Sequence, residues 1–171
     1  YHSATPGGYL GLNNASDFTA APTDWGSGVT DSVIGLGTSN GNNHSGNMIA
    51  YCWHSVPGYS AFGSYTGNGV ADGPFIYTGF KPAWVMVKRH SSSGNWTIFD
   101  NARDPHNVAD KVLYPDGDFV EGENSSHRAI DMLSNGFKIR SGNHSGGINS
   151  GDFIYACFAE KPPTVPEKVK Y

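Results

Sequence analysis

The sequence predicts an all-β fold, an antiparallel sandwich of two sheets, on three observations. Apolar residues come in short runs, several alternating with the period of two that marks a half-buried strand. Turn formers separate those runs, with 23 Gly and many Asn and Ser along the chain. No window carries an apolar stripe at helical spacing, so little helix is expected.

Residues 1–31 read as loop, punctuated by Pro6-Gly7-Gly8, Asn13-Asn14 and Pro22, with one short strand at Tyr9–Leu12. Phe18 and Trp25 are the packing residues of that stretch. Ser32–Leu36 is a short strand, followed by the polar loop Gly37–Asn47. Met48-Ile49-Ala50-Tyr51-Cys52-Trp53 is apolar on both faces, the pattern of a central strand covered on both sides.

The stretch 59–100 organises the rest. Ala83–Lys88 alternates Ala83, Val85 and Val87 on one face with Trp84, Met86 and Lys88 on the other. Trp96–Phe99 is aromatic and β-branched, and the polar run His90–Asn95 joins the two strands as a hairpin. Asp100–Asn107 is turn-rich, with Asp100, Arg103 and Asp104 placed for a local ion pair. An acidic loop follows at Pro115–Ser126. Ala129–Ser134 and Phe137–Ser141 then flank Asn135-Gly136, the favoured dipeptide of a type I′ hairpin turn. That turn sets Met132 opposite Ile139 and Asp131 opposite Arg140.

One pattern occurs twice. Val33–Trp53 holds a strand, the loop Asn43-His44-Ser45-Gly46 and MIAYCW; Phe137–Phe158 holds a strand, the loop Asn143-His144-Ser145-Gly146 and FIYACF. Cys52 matches Cys157, Ile49 matches Ile154, and each strand runs on to a proline, Pro57 or Pro162. The period is about one hundred residues, as in proteins built of stacked units. The expected organisation is a sandwich domain at 1–161, in which 1–57 ends a preceding repeat and 58–161 is a full one. Residues 162–171, with Pro162, Pro163 and Pro166 among charges, form an extended tail.

Composition removes several functions. At 171 residues the chain is about one domain, with a core of useful size. A net charge of −4 and no basic patch argue against nucleic acid. No apolar run reaches the roughly 18 residues of a membrane-spanning helix, and no membrane partner is expected. The chain begins at Tyr1 without a signal-peptide pattern.

Catalytic and metal motifs are weak. The seven His show neither His-Glu-x-x-His nor zinc-type Cys/His spacing, so no metal is expected. Asp116, Asp118, Glu121 and Glu123 offer hard oxygen ligands but lack the spacing of a calcium loop, and a solvated loop is the simpler reading. The same carboxylates make a poor glycosidase pair, since they stand among turn residues. Ser and His meet only in the Asn-His-Ser loops, outside any nucleophile elbow, and Gly67-Asn68-Gly69 is too short for a phosphate loop. No catalytic residue and no cofactor are therefore assigned. Cys52 and Cys157 read as small buried hydrophobes rather than a disulfide. The Asn-x-Ser/Thr matches at Asn14, Asn43, Asn95, Asn124 and Asn143 fit chance in a chain rich in Asn and Ser. The loop residues left as candidate binding groups are Asn43, His44, Ser45, Asn143, His144 and Ser145.

Five stretches carry a resemblance: GSYTGNG (63–69), DGPFIYTGFKPAWVMVKR (72–89), NWTIFDNARDPHN (95–107), IDMLSNGFKIR (130–140) and FIYACFAEKP (153–162). Together they resemble a β-rich domain of virion structural proteins of tailed bacteriophages, of the kind found in tail-fibre-like proteins of marine and cyanobacterial phages. The resemblance covers residues 48–162, and earlier residues only through the repeated hairpin. It implies a jelly-roll or lectin-like sandwich in a virion. It also implies a non-catalytic building block whose partners are copies of itself and other virion proteins. Capsid decoration, or recognition of host-surface glycans by the loops, are the alternatives it leaves open.

Overall fold

The computed structural model describes residues 7–30, 32–41, 43–123 and 127–162, and all regular structure among them is β. The strands are Gly8–Tyr9 (β1), Thr19–Ala20 (β2), Trp25–Val29 (β3), Ile34–Leu36 (β4), Ser60–Asn68 (β5), Phe75–Tyr77 (β6) and Trp84–Arg89 (β7). There follow Thr97–Asp100 (β8), Lys111–Val112 (β9), Gly122–Glu123 (β10), Ile130–Leu133 (β11), Gly136–Ile139 (β12) and Ser150–Phe158 (β13). Every pairing is antiparallel, in a four-stranded sheet β5-β13-β7-β8, a three-stranded sheet β11-β12-β6 and three two-stranded ribbons.

The two larger sheets share one hydrophobic core. The four-stranded sheet contributes Tyr65, Val85, Val87, Phe99, Phe153 and Cys157; the three-stranded sheet contributes Ile76, Ile130, Met132, Phe137 and Ile139. Tyr65 ties them together, stacked on Phe153 at 4.9 Å between centroids and edge-on to Phe137 at 6.4 Å. Its hydroxyl, in an apolar setting, donates to Ile148 O at 2.8 Å.

The central hairpin forms as expected, with Val85 opposite Phe99 and Val87 opposite Thr97. Its second face differs from the alternation pattern, because Lys88 is completely buried. The Lys88 ammonium donates to Arg89 O at 3.0 Å and Gly94 O at 2.9 Å, with Ala15 O at 3.4 Å. The N-terminal segment lies over this position, Gly94 N bonding Ala15 O and Phe18 N bonding His90 O. Sequence periodicity registers one sheet's faces, and a covering loop far away in the chain is invisible to it.

The repeated strand takes two forms. Phe153–Phe158 lies in β13, between β5 and β7, with nine register pairs to β5 and six to β7. Met48–Trp53, expected to be an equivalent central strand, is not a strand at all and every residue in it is exposed. The reason is supply of partners: the β5–β7 slot that suits such a sequence is already filled by β13. Cys157 is accordingly buried and Cys52 exposed, both as free thiols.

The second hairpin also departs from its expected register. Met132 pairs with Phe137 and Asp131 with Lys138, leaving Ser134 and Asn135 as the loop and Gly136 inside β12. No non-glycine residue among those described has positive φ, and Gly136 is not among the glycines that do, so the turn is not type I′. Gly136 is required for another reason: a Cβ there would stand 2.1 Å from Ile76 O of the neighbouring strand. The shift is two residues, which preserves the faces. Arg140 still reaches Asp131 diagonally, Nε to Oδ2 at 3.3 Å. The Arg103–Asp100 pair forms at 2.5 Å, whereas the Asp104 carboxylate accepts from Asp110 N and Lys111 N instead. The expected short strand Tyr9–Leu12 is limited to Gly8–Tyr9, and of the Pro-rich tail residues 163–171 lie outside the described residues.

Candidate functional site

The two Asn-His-Ser loops lie in different surroundings. Asn43, His44 and Ser45 are all exposed; Asn43 Nδ2 donates to Gly37 O at 2.6 Å, and His44 Nδ1 accepts from Gly46 N at 3.0 Å. These are bonds within the loop, and they leave it facing solvent. In the second loop Asn143 and Ser145 are exposed while His144 is half-buried.

Asn149 shapes this second loop. Its side chain is fully buried; Nδ2 donates to Val70 O and Ser141 O, each at 2.7 Å, and Oδ1 accepts from Asn68 N at 3.0 Å. One amide thereby holds the start of the loop, its end and the neighbouring β5 terminus together. Gly146, with φ of 74°, and the bond from Gly147 N to His144 O make the tight turn inside it.

Two arginines close on that turn. Arg128 Nη2 donates to Gly146 O at 2.5 Å and Arg89 Nη2 to Gly147 O at 3.1 Å. Each guanidinium also lies over an aromatic ring, Arg128 over Tyr114 at 5.0 Å and Arg89 over Phe153 at 5.3 Å. His127 packs edge-on against His144 with centroids 4.1 Å apart. Four groups able to carry positive charge therefore surround one loop. Among the described residues no carboxylate forms an ion pair with either Arg89 or Arg128.

The electrostatics record the crowding. Burial lowers the Arg89 pKa first, and the charge of Arg128 adds to it, against an opposing effect of Tyr65. His127 is lowered from its ordinary value by burial, then by His144 and Arg128. Three buried polar atoms here lack a partner: Arg89 Nε, Arg128 Nε and Ser141 Oγ. Arg140 N bonds Ala129 O, and continuing that register sets Ser141 opposite Arg128.

Of the side chains around this turn, His144 is among the sequence-derived binding candidates, and Arg89, Arg128 and Asn149 are not. Nothing local marks them, since Arg89 ends a strand and Arg128 lies in a connection, and only the packing of distant segments unites them.

Elsewhere, a cavity of about 150 Å³ is lined by residues that include Lys81, Asn101, Asp104, His106 and Asn107. Its best polar groups serve the fold: Asn107 bonds both Met132 N and Met132 O, and Asp104 bonds two backbone N–H groups. In the acidic loop Glu121 pairs with Arg103, and Asp116 Oδ2 accepts from Asn95 Nδ2 and Trp96 N at 3.3 Å. Among the described residues no three His, Cys, Asp or Glu side chains group as metal ligands would.

Residues 1–162 match the model of the family described as Domain of unknown function (DUF7483). No curated protein and no solved structure matches the chain. With nearly its whole length matched, the chain belongs to the DUF7483 family.

Proposed function

We propose that the chain is a non-catalytic structural building block that assembles with copies of its own fold. The resemblance in its sequence makes a tailed-phage virion, as fibre, appendage or capsid decoration, the setting that fits. Two larger sheets on one core support a two-sheet sandwich of jelly-roll or lectin-like type.

The observation that carries this reading is the duplicated strand sequence. One copy, Phe153–Phe158, is a central strand; the other, Met48–Trp53, stands in solvent with Ile49 80% and Tyr51 74% exposed. Contiguous exposed apolar side chains of this kind mark a protein–protein contact. Its natural partner is the edge of a second four-stranded sheet of the same fold, which takes Met48–Trp53 as an added strand because each copy's β5–β7 slot already holds its own β13. Burying each large side chain there stabilises the contact by about 1.5–3 kcal/mol, and the strand's backbone gains ladder bonds.

Cys52 reports on this contact directly, because its equivalent Cys157 is fully buried. Light scattering over a concentration series, with Cys52 alkylation followed by mass spectrometry, is the test. Assembled protein with Cys52 protected is expected. A monomer with freely labelled Cys52 at every concentration and with other units of the same fold present would end this reading, as would measurable turnover of a glycan.

A further inference from the structure

We propose that the corner formed by Arg89, Arg128, Ser141 and the loop His144–Gly147 binds an oxyanion, a sulfate or carboxylate group carried by an acidic glycan. This is separate from the assembly role and does not depend on it.

Two arginines contact successive carbonyls of one turn, at Gly146 and Gly147, beside the paired rings of His127 and His144. Buried or half-buried guanidinium groups ordinarily acquire a carboxylate partner, and these have none among the described residues. The missing negative charge is what an incoming anion brings.

Arg89 Nε, Arg128 Nε and Ser141 Oγ–H are donors, all buried and all without an acceptor. Buried donors in native proteins find a partner or wait for one. Arg128 is 9% exposed and Ser141 1%, so water reaches them poorly. An oxyanion has acceptor oxygens on several sides and suits guanidinium groups better than any neutral ligand does.

Exposed Asn143 and Ser145, on the flank of the same loop, carry amide and hydroxyl groups of the kind that hold sugar hydroxyls. That flank favours a glycan as the source of the anionic group over a free ion.

The test uses the whole chain. Thermal melts in sodium sulfate and sodium chloride at matched ionic strength separate specific binding from screening. Calorimetry with a glucuronate-terminated oligosaccharide, a sulfated one and the neutral parent sugar then distinguishes the sources. Sulfate is expected to raise the melting temperature above chloride, and an acidic oligosaccharide to bind at least tenfold tighter than its neutral parent. Ser141→Ala removes a hydroxyl with no partner in the fold, so it should fold normally and weaken acidic-sugar binding several-fold. Arg128→Gln should abolish that binding; should it fail to fold, the Ser141→Ala comparison decides alone. Equal melts in sulfate and chloride would overturn the site. A sulfate effect without preference for acidic over neutral sugar would overturn the glycan as its source.

Discussion

Cys52 and Cys157 hold the same position in the repeated sequence and opposite environments, so they separate what a residue type implies from what its surroundings impose. Burial pushes the Cys157 thiol up to about 12, against a small opposing contact with Ala61 O at 3.6 Å. At pH 8 a thiol reagent should label one cysteine of the monomer quickly, Cys52, and reach Cys157 only after denaturation. Cys157→Ser should destabilise by about 1–2 kcal/mol in a urea titration, because the hydroxyl is desolvated but finds Ala61 O. Cys52→Ser should stay within about 0.5 kcal/mol in the monomer. Asn149 is the stronger case: removing an amide that makes three bonds inside the fold should destabilise by about 3 kcal/mol in Asn149→Ala. For His127, burial and the charges of His144 and Arg128 depress the folded pKa below its ordinary 6.5. The unfolded chain therefore binds more protons near and below that pH, so this group's contribution is present above it and lost as pH falls through the folded pKa. A proton NMR titration should give a His127 midpoint below 6.5, moved upward in His144→Asn. An unshifted midpoint in both proteins would mean that the two rings do not sense each other.

At the scale of elements, the hairpin β11–β12 shows how a correct sequence signal acquires a different cause. Asn135-Gly136 marks the turn correctly, yet the glycine lies one step inside the strand, where only a hydrogen fits against Ile76 O. Gly136→Ala should destabilise by about 2–3 kcal/mol through that backbone clash. A substitution that changed only turn propensity would cost less. Asn135→Ala provides the comparison, and a larger loss there than in Gly136→Ala would restore the turn explanation. Strand β7 carries the other lesson. Val85 and Val87 were legible as a buried face from their alternation alone. Lys88 was not, because its burial depends on residues 15–18 and 94 folding over it and supplying carbonyl oxygens.

Across the whole molecule, the same six-residue pattern serves as a core strand when two neighbours flank it and as an exposed segment when none does. Ile49→Asp combined with Trp53→Asp should therefore leave the melting temperature of the monomer within a few degrees while lowering the mass seen by light scattering. Loss of the fold instead would show that Met48–Trp53 already packs in the isolated chain. The all-β class and the central hairpin were determined by the sequence itself, since alternation and turn residues are local properties of a chain. Which copy of the repeat becomes a central strand was decided only by tertiary structure, because a strand exists where partners accept its backbone hydrogen bonds. The cationic corner was decided there too. Arg89 is distant in the chain from Arg128 and Ser141, which flank one hairpin, and only the folded sheets bring both arginines to one loop.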